Sequence, residues 1–82
     1  MRVLQNPVLT GNVKIQYTLP KATHIKLAVY NTLGQVEEIL IDDIVSAGVY
    51  GIKIKKNLPQ GVYFVKLTTD KQSIIEKVIF IK

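Results

Sequence analysis

The stretch Leu58-Pro59-Gln60-Gly61-Val62-Tyr63-Phe64-Val65-Lys66-Leu67 constrains this chain more than any other. It joins a turn signal to the strongest strand signal in the sequence. Pro59 fixes φ and Gly61 tolerates positive φ, so the reversal has a mechanism. The residues after Gly61 are β-branched and aromatic, a composition that favours a pleated strand. Alternation puts Tyr63, Val65 and Leu67 on one face and Val62, Phe64 and Lys66 on the other. Both rows are largely apolar, so this strand is predicted to be central and covered on both sides.

The same two-residue period recurs along the chain. Val13, Ile15, Tyr17 and Leu19 alternate with Lys14, Gln16 and Thr18, up to Pro20. Lys21 to His24 is a connection. Ile25, Leu27 and Val29 then alternate with Lys26, Ala28 and Tyr30. Asn31-Thr32-Leu33-Gly34 reads as a turn, and Gln35 to Ile41 as the returning strand of a hairpin. Asp42-Asp43 is taken to open a loop that runs to Ala47-Gly48. Tyr50, Ile52 and Ile54 alternate with Gly51, Lys53 and Lys55, and Thr69 to Gln72 is a polar turn before a last strand from Ile74 to Lys82. A short first strand is expected within residues 3–10, interrupted at Asn6-Pro7, where Pro suits an edge or a bulge. Thr10-Gly11-Asn12 is a turn.

No window sustains the helical i, i+3, i+4, i+7 pattern, and Val36 to Leu40 is too short to stand as a helix. Six or seven strands at intervals of about ten residues are the signature of an antiparallel sandwich. The prediction is therefore an all-β, seven-stranded antiparallel β-sandwich over residues 1–82 as one domain. Its core should include Ile15, Tyr17, Leu27, Val29, Ile52, Ile54, Tyr63, Val65 and Leu67.

The chain has no Cys, so disulfides, thiolate metal sites and Cys nucleophiles are excluded. Its core comes from aliphatic mass, which dominates the 48% hydrophobic content. The net charge of +5 raises nucleic acid or an anionic surface as partners. The lysines are scattered singly through strands, with only Lys53, Lys55 and Lys56 clustered, and only Tyr30 and Phe64 stand near them as stacking residues. A solvated basic surface fits better than a nucleic-acid groove. No apolar run reaches the length of a transmembrane helix or a signal peptide, so direct membrane insertion is not expected.

Catalysis requires polar groups that converge. The single histidine, His24, stands in a loop. Glu37-Glu38 are neighbours in a strand and point apart. Asp42-Asp43 lack the alternating spacing of a Ca²⁺ loop, and turn solvation accounts for them. No Gly-rich loop precedes a helix. No enzyme activity, cofactor or metal is expected.

The last strand is apolar on both faces, with Ile75, Ile79 and Ile81 on one and Ile74, Val78 and Phe80 on the other. Two readings stand side by side. The strand is central and buried on both sides, or one face or its edge docks a partner.

The order of motifs carries further information. Asn6-Pro7, Val13-Lys14-Ile15-Gln16-Tyr17-Thr18-Leu19-Pro20, Tyr30-Asn31-Thr32-Leu33-Gly34-Gln35, Gly48-Val49-Tyr50, the Leu58 to Leu67 stretch and Lys77-Val78-Ile79-Phe80-Ile81-Lys82 follow one another. In this order they resemble the C-terminal sorting domain of the type IX (Por) secretion system, type A, from Asn6 to Lys82. The resemblance implies an Ig-like β-sandwich carried by a larger exported protein. It implies a cargo domain upstream and recognition by the outer-membrane translocon. It also implies removal by a sortase-like peptidase, with the cargo secreted or held at the cell surface after passage through the periplasm. The recognition residues it points to are Gly61, Val62, Tyr63, Phe64, Lys77, Val78, Ile79, Phe80, Ile81 and Lys82. Lys55-Lys56-Asn57 stands where the family is usually rich in Asp and Ser. A second resemblance, to the Ig-like accessory domain of flagellar hook-capping proteins, shares the Leu-Pro, Tyr-Asn-Thr-Leu-Gly and Gly-Val-Tyr features but lacks the usual Trp-Asp loop. A carbohydrate-binding accessory of a secreted hydrolase would need an exposed aromatic row, for which only Tyr30 and Phe64 are candidates.

Overall fold

The computed structural model describes residues 2–3, 13–54 and 58–81. The elements are β1 (Arg2–Val3), β2 (Val13–Leu19), β3 (Thr23–Tyr30), β4 (Val36–Val45), β5 (Gly48–Ile54), β6 (Gly61–Thr68) and β7 (Ser73–Phe80). All pairings are antiparallel, and no helix occurs among the described residues. The chain is all-β, as alternation predicts. The seven-strand count is corrected, because β2 to β7 are full strands whereas β1 is a two-residue pairing with β2. Beyond Val3, the strand predicted over residues 3–10 lies outside the described residues, as do Thr10-Gly11-Asn12 and Lys55-Lys56-Asn57.

Two sheets form, in the orders β1-β2-β5 and β4-β3-β6-β7. One hydrophobic cluster draws on both. Ile15, Tyr17, Leu19 and Ile54 come from the first sheet. Ile25, Leu27, Val29, Tyr63, Val65, Leu67, Val78 and Phe80 come from the second. Alternation puts each of these rows on one side of its strand, so the two sheets bury their apolar rows in a shared core. Of the predicted core, Ile52 alone is only partly buried, packed against the cluster from β5 beside the edge of its sheet. Leu58 is fully buried although it stands outside any strand, and it anchors the passage into β6.

Three expectations change on contact with the pairing. First, β4 continues through Asp42 and Asp43 to Val45, because β3 holds it in register with Lys26 opposite Asp42 and Ile25 opposite Asp43. The predicted loop shrinks to Ser46-Ala47. Second, β7 ends the strand order of its sheet among the described residues, and only one of its rows is buried. The reading of a central strand covered on both sides is therefore overturned. Third, β6 is interior to its sheet, between β3 and β7, but Phe64 and Lys66 on its other row are half-buried, with no second layer over them among the described residues. An interior position within a sheet satisfies both backbone edges; it does not require both faces to be covered.

Candidate functional site

The approach to β6 is fixed by local chemistry. Gly61 has φ 156°, a region that L side chains rarely adopt, so the turn residue predicted there is used as such. Tyr63 points inward and its hydroxyl donates to the Pro59 carbonyl at 2.8 Å, four residues back. Its ring meets Phe80 edge-on, with centroids 5.2 Å apart and planes at 71°. Burial, and then the nearby Glu37 carboxylate, pushes the Tyr63 phenol above its ordinary pKa. Tyr17 is pushed up in the same direction by burial and then by Tyr50, on which it stacks with centroids 5.3 Å apart.

Burial divides the ten predicted recognition residues. Tyr63, Val78 and Phe80 belong to the core and cannot meet a partner without unfolding. Val62, Phe64, Lys77 and Ile79 alternate with them and lie on the outer face of the four-stranded sheet. Ile81 is exposed just beyond β7, and Gly61 opens β6 opposite Phe80. Lys82 lies outside the described residues.

Register assembles this outer face across all four strands. One row runs Val36, Tyr30, Phe64, Lys77 from β4 to β7. The next runs Ile39, Ala28, Lys66, Ile75. Val62 pairs with Ile79 beyond the first row, and Lys26 stands opposite both Asp42 and Thr68 on the far side of the second. Ile39 is 52% exposed and Ile75 58% exposed. A hollow lined by Tyr30, Phe64, Lys66 and Ile75, together with Asn31, Thr32 and Gly34 of the β3–β4 turn, opens at the turn end of this surface. Sequence reasoning named Phe64, Lys77 and Ile79 but missed Val36, Ile39, Lys26 and Lys66 as parts of one surface. Their signal is the pairing of β3 with β6, which joins segments far apart in the chain and leaves no local mark.

The outer face of the other sheet is different. Lys14, Gln16 and Thr18 of β2 lie opposite Lys53, Gly51 and Val49 of β5. That face is polar except for Val49, the ordinary arrangement for a sheet turned to water.

Among the described residues, the groups with catalytic potential lie in small exposed contacts. His24 Nε2 lies 2.9 Å from Asp42 Oδ1, and both side chains are at least half exposed. Asp43 Oδ1 accepts from the Ile44 N–H at 2.7 Å. A bulge between Val29 and Tyr30 puts Glu38 opposite Val29 and leaves Glu37 outside the ladder, so simple alternation does not hold for this pair. Glu38 lines a groove between β4 and β5 with Lys14, Leu40, Ile52 and Lys53. Among the described residues, no group of three or more His, Asp or Glu is placed to hold a metal ion.

A family model described as "Secretion system C-terminal sorting domain" matches residues 5–82. No curated protein matches the chain, and no solved structure matches it.

Proposed function

This chain belongs to the family of secretion system C-terminal sorting domains, and from that premise we propose that it is read by the outer-membrane type IX translocon through the outward rows of β6 and β7. Membership makes it a C-terminal sorting signal for type IX secretion, carried by a secreted or cell-surface protein. The proposal adds the reading element, the upstream cargo domain, the passage through the periplasm and the removal by a sortase-like peptidase. The observation that carries it is the outward row of exposed Val62 and Lys77 and half-buried Phe64 and Ile79, which alternates with a buried row that holds the two strands in place. Rigid strands present such side chains at fixed spacing, which suits recognition by a protein groove or sheet edge. The function is recognition, with no catalysis by this domain. The hook-capping alternative is not favoured, since the family model that matches is the sorting one.

The fold within this reading is Ig-like. Two features support it. The second and fifth strands pair in one sheet while the third, sixth and seventh share the other, as in sandwiches of that kind. The Tyr63 hydroxyl also bonds back to the Pro59 carbonyl at the start of the sixth strand, as in a tyrosine corner.

The test is export of a reporter fused in front of this chain in a type IX-competent host. Deletion of Val78 to Lys82 is expected to abolish surface display. The variant Lys77→Glu with Lys82→Glu is expected to fold and to be displayed less well. Normal display of the deletion would remove β7 from the mechanism; normal display of the folded double variant would remove its two lysines.

A further inference from the structure

We propose that the outer face of the four-stranded sheet docks, face on, an apolar protein surface rimmed with carboxylates. The inference deepens the sorting reading and rests on it, since it names the chemistry of the surface that reads this domain.

The molecule supplies its own comparison. Both sheets bury one face in the shared core, and each turns the other face outward. The three-stranded sheet turns out Lys14, Gln16, Thr18 and Lys53, with Val49 as a single exposed apolar side chain among the described residues. The four-stranded sheet turns out Val36, Ile39, Val62 and Ile75, each exposed, around half-buried Tyr30 and Phe64. Scattered apolar residues on a surface need no explanation, but contiguous rows on paired strands mark an interaction surface. Aromatic side chains in the middle of such a patch are the usual anchors of a protein interface.

Charge selects the occupant. Lys26 and Lys66 stand on this face, and among the described residues Asp42, opposite Lys26, is the carboxylate its register places there. That carboxylate already lies 2.9 Å from His24. Lys66 sits on an interior strand between Ala28 and Ile75, so any partner that covers the apolar rows must also cover its ammonium group. A second copy of this chain would bring the same lysines against one another across a self-complementary contact, and like charges in a contact are costly. A surface with carboxylates placed among apolar groups covers both features at once. The geometry is face docking, not strand addition, because the lysines and the aromatic rings project from the sheet and the two interior strands have both backbone edges paired.

The experiment again uses a reporter carrying this chain, in a type IX-competent host. Lys26→Glu with Lys66→Glu is expected to lower surface display by about tenfold or more, as expected for reversing charges inside a docked surface. Lys14→Glu with Lys53→Glu makes the same change in net charge on the other sheet and should leave display within about twofold, as rim or remote charges do. Lys66→Arg should be displayed normally. Thermal unfolding of the reporter fusions checks that each variant is folded. Should the first pair not fold, Lys66→Gln takes its place, with a smaller loss of display expected.

A photo-crosslinking amino acid at Ile75 should form an adduct with an envelope protein, through a peptide that carries Asp or Glu beside apolar residues. The same probe at Gln16 should not. Normal display of the folded Lys26→Glu, Lys66→Glu variant would overturn the inference, as would equal loss with the Lys14→Glu, Lys53→Glu pair. An adduct with a second copy of the chain, or with lipopolysaccharide alone, would also overturn it. If the unaltered chain fails to direct display at all, the sorting reading itself falls. If it succeeds while the face variants are silent, only the docking inference falls.

Discussion

At the scale of single residues, two positions carry much of the local order, and they differ in how visible they are. Gly61 is legible in the sequence, because Pro59-Gln60-Gly61 before a strong strand calls for a reversal, and its φ of 156° agrees. Gly61→Val is expected to cost about 1 kcal/mol or more, read from urea unfolding midpoints. The hydroxyl of Tyr63 is not legible. Alternation puts its ring in the core, but only the folded turn brings the Pro59 carbonyl within 2.8 Å. Tyr63→Phe should cost about 1 kcal/mol, the net worth of one hydrogen bond with a partner left unsatisfied. The pH dependence follows from its raised pKa. The folded chain holds the phenolic proton more tightly than the unfolded chain. The contribution is therefore complete below the unfolded value near pH 10 and is lost as pH rises through the folded value. Unfolding midpoints should fall above about pH 10, and less steeply in Tyr63→Phe, where one of the two shifted phenols is gone. His24→Ala, by contrast, removes an exposed contact to Asp42 and should move stability by less than about 0.5 kcal/mol.

At the scale of elements, β7 shows what alternation can and cannot reveal. The sequence marks it as a strand with two apolar rows, and it cannot say which row is inside. Packing decides: Val78 and Phe80 join the core, while Ile75 remains exposed. The two rows should respond differently to substitution. Val78→Ala is expected to cost about 2 kcal/mol, from the lost methyl groups and the cavity they leave. Ile75→Lys should stay within about 0.5 kcal/mol, as exposed positions do. Equal costs would mean that the outer row is covered after all. The hairpin of β3 and β4 was the easiest pairing to read, because its turn is written locally. The Asn31 side-chain oxygen accepts from the Leu33 and Gln35 N–H groups at 2.9 and 3.0 Å, and Gly34 takes φ 80°. What escaped the reading was the length of β4. Asp42 and Asp43 look like loop residues by composition, yet the ladder with β3 carries them into the strand.

At the scale of the whole molecule, the all-β class was legible from a single period repeated along the chain. The assignment of strands to sheets was not. It depends on β2 meeting β5 and β3 meeting β6, which are non-local contacts. The chain changes sheet three times, from β2 to β3, from β4 to β5 and from β5 to β6. A tyrosine stands at each of the last two crossings. The Tyr50 hydroxyl donates to the Ser46 carbonyl at 2.8 Å, and that of Tyr63 donates to the Pro59 carbonyl at the same distance. Each bond spans four residues and ties the two sides of its crossing together, so the two act as catches on a closed door. Their effect is expected on the lifetime of the folded state more than on the speed of reaching it. In stopped-flow measurements Tyr50→Phe and Tyr63→Phe should hasten unfolding and leave the refolding rate nearly unchanged.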